Sequence, residues 1–347
     1  MQRGHVFVVN EETLATHLKY MFVGTTAGDK DNNIGLLSDM VRVKKDDLIF
    51  FYIEGRGSKR GRFFGVFKAL EDTVYHCTGA NALQPNLPLK LIYRKRISPH
   101  RVYPKGVLEW IALDKLPTYA KELLWSLIYR KMKGGRGNTM LLPWETERLI
   151  GLIQSENHGV SLENEHFTFD KETYEIVVGN GTAAHEHGSP TEVILDSIGK
   201  TETHLQAFLV QGLKPFSNDF LPEIFGRNII WIGNEVFAGS GMQKIDILTI
   251  EKTDDISYMH RLVEIKLGSA GDASSQLEYY INWAREDIGG HLIGARDFNV
   301  KPVLVVLVEE FDSIPQDTVD QIANLRTIST EPEIYELNFQ GRKNRVL

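Results

Sequence analysis

One cysteine, Cys77, stands in a chain of 347 residues. A lone thiol excludes an internal disulfide framework and any zinc site built from several cysteines. It is expected as a small buried side chain, not as a nucleophile. No apolar run approaches the roughly 18 residues that a membrane span requires. The opening Met1–His5 leads directly into the strand-like Val6–Val9, without the apolar core of a signal peptide. Internal repeats and low-complexity tracts are also missing. These absences point to a cytoplasmic protein with no membrane partner. Hydrophobic residues make up 42% of the chain, enough to fill more than one core, and the length suggests two domains.

Acidic residues outnumber basic ones, for a net charge of −7, which argues at first against a polyanionic partner. The balance is uneven along the chain, however. Residues 1–150 hold 24 Lys+Arg against 15 Asp+Glu, whereas the remainder holds 15 against 31. A basic first half suits contact with nucleic acid, and an acidic second half suits the capture of cations.

Hydrophobic patterning divides the chain into residues 1–154, a polar segment 155–195 and residues 196–347. In the first part, Leu48–Ile53 and Arg62–Ala69 have strand length and composition, with Glu54–Gly61 as the hairpin loop between them. Leu89–Tyr93 and Val107–Ile111 read as further strands. Lys121–Lys133 has helical spacing, and Pro143 opens a second helix that runs to Ile153. Segment 155–195, broken at Gly179-Asn180-Gly181 and Gly188-Ser189-Pro190, reads as a linker or small irregular subdomain. Its His185 and His187 read as loop residues in preference to metal ligands.

The last part alternates helix and strand. Thr201–Gln211 is helical, with apolar Leu205, Phe208 and Leu209. Ile229–Ile232, Lys244–Glu251 and His260–Leu267 are strands. Ser274–Asp287 is an amphipathic helix, and Val303–Val308 is an apolar strand of the kind buried at a sheet centre. Overall, the fold class expected is α/β in the broad sense (α+β), with a mixed sheet in the last part.

Asp246 is a charged residue inside the apolar strand 244–251. Glu264 and Lys266 alternate with Val263 and Ile265, so they project from one face of their strand. Paired as a hairpin, the two strands would bring both carboxylates and the lysine together. Asp246, Glu264 and the backbone carbonyl of Ile265 are hard oxygen donors suited to Mg²⁺ or Mn²⁺. Such an ion lowers the pKa of water and screens charge developing on a phosphate. Lys266 can orient or deprotonate the water and stabilise the transition state. A solvated same-face ion pair is the plainer account of Glu264 and Lys266. The order of Glu202 on the preceding helix, and Gln276 and Tyr280 one turn apart on the following one, favours the site.

That order of Glu202, Gly241–Asp246, Val263-Glu264-Ile265-Lys266 and Gln276-Leu277-x-x-Tyr280 resembles the PD-(D/E)XK nucleases. Within them it is most similar to the catalytic domain of the NucS/EndoMS family, over about residues 195–310. Lys244-Ile245 stands where that motif usually carries proline. The resemblance implies a restriction-endonuclease-like fold and hydrolysis of DNA phosphodiester bonds with Mg²⁺ or Mn²⁺. It assigns the site to Glu202, Asp246, Glu264, Lys266, Gln276 and Tyr280.

In the first part, Gly35–Met40, Val43–Tyr52 and Gly61–Phe67 resemble the EVE/PUA-like barrel. This implies nucleic-acid binding, in several relatives through a base flipped into an aromatic pocket. Two basic clusters, Lys59, Arg60 and Arg62, and Arg94, Lys95 and Arg96, are candidate phosphate contacts. Phe51, Trp110, Trp125 and Trp144 are candidate stacking faces, though each serves equally as core. The expectation is a metal-dependent endonuclease acting on double-stranded DNA. A non-catalytic reader of a modified base and an RNA-directed enzyme are the alternatives. Cutting both strands takes two sites, so a homodimer is expected from function and from no residue in particular.

Overall fold

The computed structural model describes residues 3–25, 34–55, 60–77, 91–114, 137–180, 188–195, 201–213, 220–239, 243–288 and 297–347. The chain divides into two compact units, Met1–Glu192 and Val193–Leu347. Both mix helices and strands, and the fold class is α+β. Among the described residues no helix is long and apolar enough to cross a membrane.

The first unit has a curled, half-barrel sheet of nine strands and a separate two-stranded hairpin. Its strands and helices, in chain order, are β1 (Gly4–Val9), α1 (Glu11–Tyr20), β2 (Phe22–Thr25), α2 (Ile34–Val41), β3 (Leu48–Ile53), β4 (Arg62–Ala69), β5 (Val74–His76) and β6 (Tyr93–Pro99). These are followed by β7 (Val107–Leu108), α3 (Glu109–Leu113), β8 (Asn138–Leu141), α4 (Pro143–Glu156), β9 (Phe167–Asp170), β10 (Glu175–Val178) and β11 (Ser189–Thr191). Strand β3 lies between a parallel β1 and an antiparallel β4. Every residue of β3 is buried, as its unbroken apolar sequence requires of a strand covered on both faces. Val6, Phe50, Tyr52 and Phe63 pack with Leu149 and Ile153 of α4 to form one core.

Two expectations change here. Only Val107 and Leu108 of the run Val107–Ile111 are strand; a short helix begins at Glu109. The Glu109 N–H donates to the Gly61 carbonyl at 2.8 Å, and its carboxylate accepts the Tyr52 hydroxyl at 2.6 Å. The first bond is one step further in the β4–β7 register, and the helix begins at the residue that makes it. Of segment 155–195, expected as a linker or small irregular subdomain, the β9–β10 hairpin and β11 belong to the first unit, which ends at Glu192. Phe169 meets Phe64 edge-on at 5.5 Å, and Phe167 meets Phe67 at 6.1 Å. Alternating Phe167 and Phe169 supply the period-2 signal that the polar surroundings diluted. The helix expected at Lys121–Lys133 lies outside the described residues.

The second unit contains α5 (Glu202–Gln211), α6 (Leu221–Phe225), β12 (Ile229–Phe237), β13 (Lys244–Lys252), β14 (Ser257–Leu267), α7 (Ala273–Trp283), β15 (Asp297–Val308), α8 (Gln316–Ala323), β16 (Glu333–Asn338) and β17 (Lys343–Arg345). Its mixed sheet runs β12-β13-β14-β15-β16-β17. The first three strands are antiparallel, β14, β15 and β16 are parallel, and β17 returns antiparallel. Parallel neighbours on both sides account for the unbroken apolar run of β15. Both α5 and α7 pack against β14. The turn from β14 into α7 uses Gly268 and Gly271 at φ +72° and +53°, a backbone region that side-chain-bearing residues avoid.

Candidate active site

The β13–β14 hairpin pairs in register from Lys252↔Tyr258 to Ile247↔Val263, and its ladder closes there. Asp246, one residue further on, uses its side chain: Oδ2 accepts the backbone N–H of Ile265 at 2.8 Å. On the same face of β14, the Lys266 ammonium donates to Glu264 Oε1 at 2.6 Å and lies 3.9 Å from Asp272 Oδ1. Asp246, Glu264 and Lys266 are therefore brought together at the end of the hairpin.

Both neighbouring helices brace this end of β13. From α7, the Tyr280 hydroxyl donates to the Lys244 carbonyl at 2.7 Å. From α5, Gln206 Nε2 donates to the Asp246 carbonyl at 3.0 Å. The two carbonyls adjoin the end of the ladder, and the side chains satisfy them there. Residues Asp272, Gln276 and Tyr280 follow at intervals of four along α7, so they share the face turned to Glu264 and Lys266. Glu202 is exposed at the first position of α5, and its charge is felt by Asp246, Glu264 and Lys266.

Burial dominates the electrostatics. The Asp246 carboxyl is held well above the usual carboxylate range, first by burial, then by Glu264 and more weakly by Glu202. The Ile265 N–H and Lys266 oppose the shift. Glu264 is raised as well, by burial first and by Glu202 and Asp272, against the hydrogen bond and charge of Lys266. Burial works against the Lys266 ammonium, yet Glu264, Glu202 and Asp246 leave its pKa raised. The Tyr280 phenol is pushed up, by burial first and then by the nearby Glu264 and Asp246. Two neighbouring carboxyls that both resist ionisation lack sufficient compensating positive charge.

Several buried oxygens in the site have no hydrogen-bond partner among the described residues: Glu264 Oε2, Gln206 Oε1 and Gln276 Oε1. All three are acceptors. Buried acceptors without donors are uncommon in folded proteins and call for water or an ion. No group of three or more His, Cys, Asp or Glu side chains is poised around a metal position among the described residues. The donor set is the smaller one of two carboxylates and a strand carbonyl. That set fits Mg²⁺, which keeps several waters and commonly takes only one or two carboxylates from a protein. The sequence alone did not single out Gln206 or Asp272. A glutamine inside an amphipathic helix carries no periodic signal, and its one cue is its position a turn after Glu202.

In the first unit, the basic clusters separate. Arg60 is exposed, and Arg62 is half-buried with Nη1 donating to the Gly106 carbonyl at 2.9 Å; Lys59 lies outside the described residues. Arg94 and Lys95, expected as phosphate contacts, are interior residues instead. Arg94 Nε donates to the Leu91 carbonyl at 2.6 Å, and the guanidinium lies 4.8 Å from the Phe22 ring centre. Lys95 donates to the Asp72 carbonyl at 2.7 Å, and burial lowers its pKa to about 7. Arg94 and Lys95 are consecutive in β6 and point to opposite faces of it, and both faces are covered there. Arg96 is exposed but paired with Glu71. Among the candidate stacking residues, Phe51 is core, packed on His17 and Phe67. Trp144 is half-buried and Trp110 is 53% exposed. Trp125, His185 and His187 lie outside the described residues. Cys77 is buried.

Comparison with protein-family models gives no match, and comparison with curated proteins gives none. Among solved structures, a structural-genomics crystal structure from Pseudomonas putida is 13% identical, with a TM-score of 0.28, covering 43% of this chain and 98% of that one. A second, from Pseudomonas syringae, is 12% identical with a TM-score of 0.27 and the same coverage. Neither likeness carries an argument at that score.

Proposed function

We propose that the second unit is a Mg²⁺- or Mn²⁺-dependent nuclease that hydrolyses DNA phosphodiester bonds, with the first unit as its nucleic-acid-binding domain. One observation carries this reading. A half-buried carboxyl, a buried one and a lysine meet where the β13–β14 ladder ends, and Glu264 Oε2 is left there without a donor among the described residues. Asp246 and Glu264, with the Ile265 carbonyl, are the residues that would hold the ion. Bound there, a divalent cation supplies Lewis acidity and a water molecule of lowered pKa.

The remaining chemistry belongs to the chain. In hydrolysis, water adds to phosphorus, one P–O ester bond breaks, and the water's proton passes to solvent or to the departing oxygen. Lys266 remains an ammonium at neutral pH, because Glu264 favours its charged form. In that form it stabilises charge on the phosphate and orients water. Glu264 orients Lys266, while Gln276 and Tyr280 line the same face from α7. Arg60 and Arg62 are among the cations of the first unit that reach solvent and could meet phosphate.

The deciding experiment incubates nicked, linear, methylated, mismatched and branched duplexes with the protein and Mg²⁺ or Mn²⁺, beside an RNA duplex of one sequence. Metal-dependent cleavage that disappears in Asp246→Asn and Glu264→Gln supports the reading. Cleavage that survives both substitutions refutes it. A second reading, a non-catalytic reader of DNA or RNA, draws on the absence of a third carboxylate or imidazole from the cation position among the described residues. It predicts binding without cleavage under every metal tested.

A further inference from the structure

We propose that Gln206 is a positioning residue of the Asp246–Glu264 site, fixing the strand that carries Asp246 and presenting its amide oxygen to water within the site. This rests on the nuclease reading above. Gln206 is 3% exposed and lies among the buried apolar residues Leu205, Ala207, Leu209 and Val210 of α5. Its Nε2 donates to the Asp246 carbonyl at 3.0 Å. A backbone carbonyl only accepts, so the amide nitrogen must face the strand and Oε1 must face away from that bond. That oxygen is buried and has no partner among the described residues.

A leucine would fill this space at the loss of the donor to the Asp246 carbonyl, so packing alone gives no reason for an amide here. Two needs do. The first is geometric: Asp246 sits just beyond the last paired residues of the hairpin, where the ladder with β14 no longer holds it. Gln206 grips its main chain while Ile265 grips its carboxylate, and together the two bonds fix where that carboxylate points. The second is chemical: an acceptor fixed on the same helix face as Glu202, one turn away, takes a hydrogen bond from water in the site. Side chains that hold ligands in this indirect way tune cation affinity by about 10- to 100-fold.

The test measures Mn²⁺ binding to the full chain by isothermal titration calorimetry, without DNA, alongside thermal unfolding. Gln206→Leu and Gln206→Met are compared with wild type and with Asp246→Asn. The expected result is cooperative unfolding near the wild-type midpoint, with Mn²⁺ bound at least about tenfold more weakly in both Gln206 variants. Wild-type affinity in a folded Gln206 variant overturns the inference and leaves the nuclease reading standing. Failure of both variants to fold also overturns it, since Gln206 would then be a structural residue. No Mn²⁺ binding by wild type, or binding undiminished in Asp246→Asn, overturns the site reading and this inference together.

Discussion

Asp246 accepts the backbone N–H of Ile265 at 2.8 Å, one residue beyond the last pair of the β13–β14 ladder. The bond lets the two strands part while their facing side chains stay together. It also ties the position of the Asp246 carboxyl to the main chain of β14.

Asp246→Asn, Glu264→Gln and Lys266→Ala should each lower Mg²⁺-dependent DNA cleavage by at least about a hundredfold, the scale seen when one preorganised electrostatic group is removed. Circular dichroism and melting curves should remain those of a folded protein. For the carboxyl-to-amide changes, stability of the metal-free protein should hold or rise, because a buried carboxyl that resists ionisation is replaced by a neutral group. Unchanged cleavage in any of the three removes that residue from the site.

The pH dependence of stability should have the opposite sign from that of an ordinary ion-paired carboxylate. The folded-state pKa of Asp246 and of Glu264 is raised above the unfolded value. Their contribution is thus fully present below the usual carboxylate range, near pH 4, and is lost as pH climbs through the folded values. Metal-free protein should lose stability over that rise, and Mg²⁺ should restore part of it. Thermal melts at a series of pH values, with EDTA or Mg²⁺, check this. A pH profile identical in Asp246→Asn and wild type refutes it.

Tyr280→Phe should cost about 0.5–1.5 kcal/mol in urea unfolding, because the Lys244 carbonyl loses its hydroxyl donor. Cleavage should fall more than stability alone explains, since the same hydroxyl lies beside Glu264. A variant with wild-type stability would mean that water replaces the bond at no cost.

Arg60→Ala should reduce the salt slope of DNA binding by about one, the signature of a lost phosphate contact. Arg94→Ala should behave differently, lowering the melting temperature by removing a buried guanidinium packed on Phe22. Fluorescence anisotropy titrations at several salt concentrations separate the two. If Arg94→Ala melts like wild type and binds more weakly, its interior assignment is wrong.

How much was legible in the sequence differed between the units. Alternation put Glu264 and Lys266 on one face, and an acidic residue in an apolar strand singled out Asp246. Both signals are local, which is why they could be read. Arg94-Lys95-Arg96 misled because charge says nothing about what packs on a strand's faces, and two of the three are interior. Phe167 and Phe169 lay in a polar stretch, and only tertiary contact with β4 gives them a core role. Gln206 was invisible because its partner is a main-chain carbonyl 40 positions away.

The end of the hairpin ladder also equips the protein with an internal reporter. Because the Ile265 amide proton is held by a carboxylate instead of a peptide oxygen, its chemical shift and exchange rate follow the charge of that one side chain. A single ¹⁵N-labelled backbone resonance would then read whether a proton or a cation occupies the site, without substrate.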